Sequence, residues 1–251
     1  MSEQNPFLVP STGNASGGFV PEGRGVDASR AIEWLKSGWG YFLKNPGIWI
    51  GVTVVMMVIA VVLSMIPIIG QLALNFLMPV FAAGLLLGCK SLRDGGELRF
   101  DHLFAGFKQN TGNLILVSVY YLVGVVVVSV LTFLVGGGAA LTGAMMGDGI
   151  GAGVALSGVL FALLIMLALM TPLVMAVWFA PALVVFRDVA PVPALKASFA
   201  ACLKNLLPFL VFGVVVMVLG FLASVPLMLG WLVLLPVLVG SHYASYLELF
   251  E

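Results

Sequence analysis

Three long stretches of this chain carry almost no charge. Residues 46–89 hold no Asp, Glu, Lys or Arg, residues 109–186 hold only Asp148, and residues 205–247 hold none. A helix needs about 20 apolar residues to cross a bilayer, so each stretch is long enough for two crossings. Turn chemistry divides each where a hairpin would bend. Pro67 and Gly70 split the first, a Gly/Ala-rich segment from Gly136 to Gly158 splits the second, and Ser224 to Gly230 around Pro226 splits the third. The expected spans are 46–66, 71–90, 114–135, 160–184, 206–224 and 229–247, in an all-α polytopic membrane protein of six transmembrane helices arranged as three hairpins. The composition excludes a soluble domain. Only 9% of residues are charged and 61% are hydrophobic, too few charges to cover a water-facing surface of this size.

The basic residues give the sidedness. Arg24, Arg30, Lys36 and Lys44 precede the first span; Lys90, Arg93, Arg99 and Lys108 lie between spans two and three; Arg187, Lys196 and Lys204 lie between spans four and five. Those 11 residues are all the Lys and Arg of the chain. The positive-inside rule then places both termini in the cytoplasm of a bacterial inner membrane. A net charge of zero gives no field for nucleic acid.

The first 45 residues contain no apolar run of signal-peptide type. Residues 1–26, rich in Gly, Pro, Ser and Asn, read as a disordered cytoplasmic tail, followed by a membrane domain over 27–251. The Asn14-Ala15-Ser16 sequon means nothing on such a tail.

A short amphipathic segment precedes each hairpin. Residues 28–44, with Asp27 as N-cap, place Ala31, Leu35, Gly38, Trp39 and Phe42 on one face; residues 101–108 do so with Leu103, Phe104 and Phe107, and residues 193–204 with Leu195, Phe199 and Cys202. They close on Lys44-Asn45, Lys108-Gln109-Asn110 and Lys204-Asn205. Lysine suits the negative end of a helix dipole and asparagine tolerates a left-handed cap. Three units follow, over 28–93, 100–188 and 192–251, each an interfacial helix and two spans, although lysine and asparagine end many unrelated helices. Trp34, Trp39, Tyr41 and Trp49 suit the headgroup level. Lys44, Lys108 and Lys204 are the candidates for contact with anionic headgroups.

The sequence also carries a resemblance. Asn5-Pro6-Phe7, Gly17-Gly18-Phe19-Val20-Pro21, Gly23-Arg24-Gly25-Val26-Asp27, Trp34, Trp39 and Leu103-Phe104-Ala105-Gly106-Phe107 resemble a family of uncharacterised small polytopic membrane proteins of proteobacteria. Ala180-Pro181-Ala182-Leu183-Val184-Val185 followed by Pro193-Ala194-Leu195-Lys196-Ala197-Ser198 is distantly similar to the YciC-like inner-membrane proteins and to the membrane domain joined to some glycerophosphodiester phosphodiesterases. That resemblance implies a link to envelope lipids and carries over no catalytic residue.

No ionisable residue falls near the middle of a span, which disfavours a proton-coupled transporter using buried carboxylates. His102 beside Asp101 has the residue types of an oriented base, but an N-capping Asp explains the pair. His242, with Tyr243, Ser245 and Tyr246, is expected at the interface where span six ends. Cys89 and Cys202 lie apart, without metal-ligand spacing, and read as small buried hydrophobes. Neither cofactor nor metal is expected. The uncharged polar residues within spans are more informative: Gln71 and Asn75 share a face of span two, and Ser118, Tyr121, Ser129 and Thr132 form a stripe on span three. Such residues either bond neighbouring helices to one another or line a cavity for a lipid headgroup or small polar molecule. Gly84 and Gly88 permit close helix approach, inside the chain or in a homo-oligomer. Residues 136–158, with nine glycines, read as a flexible loop opposite the basic side. The expected function is that of a non-enzymatic, lipid-interacting or envelope-homeostasis protein; the alternative is a transporter or facilitator of a small uncharged or amphiphilic solute.

Overall fold

A computed structural model describes residues 18–147 and 149–251. Asp148, the sequon at 14–16 and the resemblance at 5–7 lie outside the described residues. Among the described residues, nine α-helices and one 3₁₀ segment follow in order: α1 (Arg30–Lys44), α2 (Pro46–Ser64), α3 (Ile69–Arg93), the 3₁₀ segment (Phe100–Phe107), α4 (Thr111–Met146), α5 (Gly149–Trp178), α6 (Ala180–Arg187), α7 (Pro191–Lys204), α8 (Leu206–Ser224) and α9 (Trp231–Phe250). Among the same described residues, six helical stretches are long and apolar enough to cross a membrane, namely α2, α3, α4, α5 with α6, α8 and α9. No strand occurs among the described residues.

The central hairpin departs most from expectation. Residues 136–146 and 149–158 are helical rather than a flexible loop: α4 continues to Met146 and α5 begins at Gly149. At 36 residues, α4 is about 54 Å long, against about 30 Å for a hydrocarbon core. Its glycines are seams rather than breaks. A Cβ on Gly143 would stand 2.3 Å from the Gly151 carbonyl oxygen, and one on Gly158 would stand 1.9 Å from Ala139 Cβ. Two apolar helices so closely apposed satisfy their backbones internally, which is the condition for persisting outside water.

Span four is broken near its basic end. Pro181 lies at the start of α6 and removes one backbone donor. The break is closed from another helix: the Phe179 N–H donates to Ser198 Oγ at 2.9 Å, and Ser198 Oγ donates to the Met175 carbonyl at 2.7 Å. Ser198 is fully buried on α7.

α1 is packed into the protein. It crosses α9 so closely that a Cβ on Gly38 would lie 2.1 Å from the Val237 carbonyl oxygen. Trp34 is fully buried against Phe209 and Phe212 and donates its indole N–H to Glu248 at 2.7 Å, while Arg30 pairs with the same carboxylate. Trp49, 1% exposed, donates to the Tyr41 carbonyl at 3.0 Å. Three of the four residues expected at the headgroup level (Trp34, Tyr41 and Trp49) are therefore buried in protein, and Trp39 is exposed. Aromatic rings with a polar tip serve a buried junction as well as an interface. Asp27 does not cap α1; Ser29 holds that position, and Asp27 accepts the Arg30 N–H through its backbone carbonyl.

Residues 19–26 are not a free tail. Val20 N–H donates to the Phe250 carbonyl and Arg24 N–H to the Leu249 carbonyl, and Phe19 stacks on Phe250. Asn205, fully buried, clamps this strap: its Oδ1 accepts from Val26 N–H, and its Nδ2 donates to the carbonyls of Arg24 and Ala201, each at 2.8 Å. The other two unit-ending asparagines also reach across the fold. Asn45 Nδ2 donates to the Leu98 carbonyl at 3.4 Å and Asn110 Nδ2 to the Val184 carbonyl at 3.1 Å. Of the three, Asn110 alone takes the left-handed conformation, at φ 54°.

Candidate functional site: a cavity within the spans

The uncharged polar residues of spans two and three separate into three sets. Asn75 on α3 and Ser118 and Tyr121 on α4 border one cavity of about 410 Å³, together with Trp178 from the α5–α6 break, Pro79, Pro181 and His242 on α9. Gln71 and Ser129 are exposed elsewhere on the bundle surface. Thr132 Oγ1 is buried without a partner, about 20 Å along α4 from Ser118 by helix rise. Ser118 returns its hydroxyl to the Leu114 carbonyl at 3.4 Å, leaving Asn75 and Tyr121 as its more available neighbours.

The cavity follows from the helix breaks. Pro79 lies inside α3 and Pro181 starts α6, and a proline ring prevents the straight continuation that would let α3 close on α5 and α6. Leu74, Met78, Val174 and Val177 supply most of the remaining wall. Met78 is 50% exposed and Val174 41%, so both reach the outer surface of the bundle at the rim. Among the described residues, no Asp, Glu, Lys or Arg borders the space.

Trp178 had no role in the sequence reading, and His242 was expected among interfacial rings. Instead His242 stacks on Trp178, with centroids 5.4 Å apart and planes 7° from parallel, and meets the edge of Phe179 at 5.2 Å. Tyr243 and Tyr246 are buried in the protein core. The available signal was a tryptophan two residues before Ala180-Pro181, where a break exposes whatever side chain precedes it.

A second hollow, about 330 Å³, lies at the basic end between α3 and the 3₁₀ segment, bordered by Lys90, Ser91, Asp94, Asp101, His102 and Lys108. Its charges are largely paired: Lys90 with Asp94 at 2.6 Å, and Asp101 with Arg99. The Arg99 guanidinium holds the Asp101 carboxyl below the usual carboxylate range. Asp101 is not an N-cap; Arg99 holds that position, and its N–H donates to His102 Nδ1 at 3.0 Å. Gly84 and Gly88 face this same segment, and a Cβ on Gly84 would stand 2.4 Å from the His102 carbonyl oxygen.

Two of the headgroup candidates are engaged within the chain. Lys44 Nζ donates to the Leu92 carbonyl at 2.6 Å, and desolvation lowers its pKa. Lys204 Nζ donates to the Gly23 carbonyl at 3.1 Å, whereas Lys108 borders the second hollow. Cys89 and Cys202 are buried free thiols, and burial pushes the Cys202 thiol up to about 12. Among the described residues, no group of three His, Cys, Asp or Glu side chains could hold a metal.

A probable inner membrane protein of Burkholderia thailandensis, BTH_II0599, is 30% identical over 227 residues, covering 87% of this chain and 82% of that protein. This chain belongs to that protein's family. The match covers most of both chains and is not confined to one hairpin. No family model matches the chain, and no solved structure matches it. Membership thus establishes a membrane protein family and assigns no reaction.

Proposed function

We propose that this protein is a non-enzymatic component of the bacterial inner membrane that takes an amphiphile from the bilayer into the α3–α4–α5–α9 cavity. The observation that carries the reading is the cavity's make-up: mostly apolar walls, a few uncharged polar groups among them, and a rim on the outer surface of the bundle. A lipid entering sideways keeps its chain among Met78, Val174 and Val177 and brings its polar part to Asn75 and Tyr121. Sites for small ligands have this composition, concave and apolar with few polar anchors. The name of the Burkholderia relative supports an inner-membrane location. The distribution of Lys and Arg supports cytoplasmic termini. The distant likeness of residues 180–198 to YciC-like proteins and to the membrane domain of glycerophosphodiester phosphodiesterases agrees with a role at envelope lipids.

The test is photolabelling in nanodiscs with a diazirine-bearing phosphatidylglycerol and a diazirine-bearing diacylglycerol. Labelling of α3, α4 and α5 at the cavity is expected, together with its loss in Val174→Trp, which fills the rim without burying new surface. Labels scattered evenly around the bundle would remove the reading. The second reading, a facilitator for a small uncharged or amphiphilic solute, is favoured by Asn75, Ser118 and Tyr121 meeting on one cavity. It predicts solute flux into proteoliposomes that the same Val174→Trp variant blocks.

A further inference from the structure

Two rings at the cavity carry nitrogen atoms that no described residue uses. Trp178 Nε1 and His242 Nε2 are both buried, and neither has a hydrogen-bond partner. They belong to the stacked pair whose planes lie 7° from parallel. Buried polar groups are normally bonded, and the hydrocarbon layer offers no water to supply the missing bond. The adjacent cavity is where a partner can arrive, with a small turn of the rings toward it.

The chemistry of the pair restricts that partner. An indole N–H only donates, so the ligand must present an acceptor oxygen; a neutral imidazole offers one donor and one acceptor nitrogen. A hydroxyl satisfies both, accepting from Trp178 and donating to His242. Asn75 and Tyr121 add further uncharged polar groups on the same cavity. A phosphate or carboxylate would arrive without a counter-charge, since no described Lys or Arg borders the space, and an unpaired charge there is far more costly than an unpaired hydroxyl.

Resting on the amphiphile reading above, we propose that the cavity selects an uncharged lipid with a free hydroxyl, of the diacylglycerol or long-chain alcohol class. The Trp178–His242 pair reads the hydroxyl, and the acyl chain leaves past Met78 and Val174.

The experiment uses the full chain in nanodiscs with the photoreactive diacylglycerol as probe. Unlabelled dioleoylglycerol or dioleoyl phosphatidic acid serves as competitor. The variants Trp178→Phe and His242→Phe keep an aromatic ring at each position and remove the indole N–H and the two imidazole nitrogens, respectively. The expected result is cavity labelling that dioleoylglycerol displaces at a concentration at least about tenfold below phosphatidic acid, with each variant weakening the probe about tenfold, the loss of about one hydrogen bond. Equal displacement by phosphatidic acid, or undiminished labelling in a variant that folds, overturns the hydroxyl proposal while leaving lipid binding intact. Absence of cavity labelling by both the diacylglycerol and the phosphatidylglycerol probes overturns the amphiphile reading itself. Should one variant fail to fold, the other and the competitor ratio in the wild type still decide.

Discussion

Asn205→Ala tests how the strap at residues 19–26 is held. The Asn205 side chain makes three bonds of 2.8 Å, one accepted from Val26 N–H and two donated to the carbonyls of Arg24 and Ala201, with no exposed surface of its own. Truncation strands a donor and two acceptors, each costing about 1–3 kcal/mol if nothing replaces the bond. The site lies at the basic end beside Lys204 and Glu22, so water reaches part of it once the strap loosens. We therefore expect a loss of about 2–4 kcal/mol. Part of this appears as local detachment, because the strap's remaining anchors are backbone bonds to Leu249 and Phe250, the Phe19–Phe250 stack and side-chain bonds of Lys204 and Arg24 near the surface. The assay is unfolding in detergent mixed with increasing sodium dodecyl sulfate, paired with hydrogen exchange at residues 20–26. Asn110→Ala, which removes one bond to Val184, serves as the scale and should lose about 1 kcal/mol. Stability within about 0.5 kcal/mol of wild type, with unchanged exchange in the strap, would falsify the clamp.

Three further outcomes follow from other junctions. Ser198→Ala should cost about 1–3 kcal/mol, because Phe179 N–H and the Met175 carbonyl lose their shared partner in the protein interior; thermal aggregation of the purified protein reads it, and an unchanged midpoint would refute the splice. Gly84→Ala places a Cβ against the His102 carbonyl and should cost about 1–3 kcal/mol by overpacking, with increased exchange over 100–107; a neutral effect would mean the 3₁₀ segment does not seat on α3. Asp101 has a lowered pKa in the folded protein owing to Arg99, so its pairing contributes fully above the ordinary carboxylate pKa and is lost as pH falls through the depressed value. Exchange at residues 99–107 should therefore rise only on acidification below the usual carboxylate range, and Asp101→Asn should abolish that dependence.

Much of the architecture was legible in one dimension. The charge-free stretches located six apolar helices because a bilayer admits almost no unpaired charge and requires helical backbone. The breaks at Pro67, Pro226 and the 136–158 region placed the turns to within several residues. What stayed hidden depends on neighbours. The glycines between Gly136 and Gly158 suggested flexibility, but glycine next to a closely packed helix is a seam, and only the partner helix distinguishes the two. Trp34 and Trp49 looked interfacial because their amphipathic rings suit a headgroup layer, yet Glu248 and the Tyr41 carbonyl give them buried partners.

The polar stripe divides in the same way. Spacing alone put Ser118, Tyr121, Ser129 and Thr132 on one helix, and it could not decide which of them met Asn75. The sequence by itself determined which segments leave water, because that choice depends on local composition summed over about 20 residues. The tertiary structure alone brought Asn75, Tyr121, Trp178 and His242 from four segments to one cavity. Such a cavity exists only where proline-broken helices fail to close on one another, and that depends on crossings between segments more than 150 residues apart in sequence, such as Asn75 and His242.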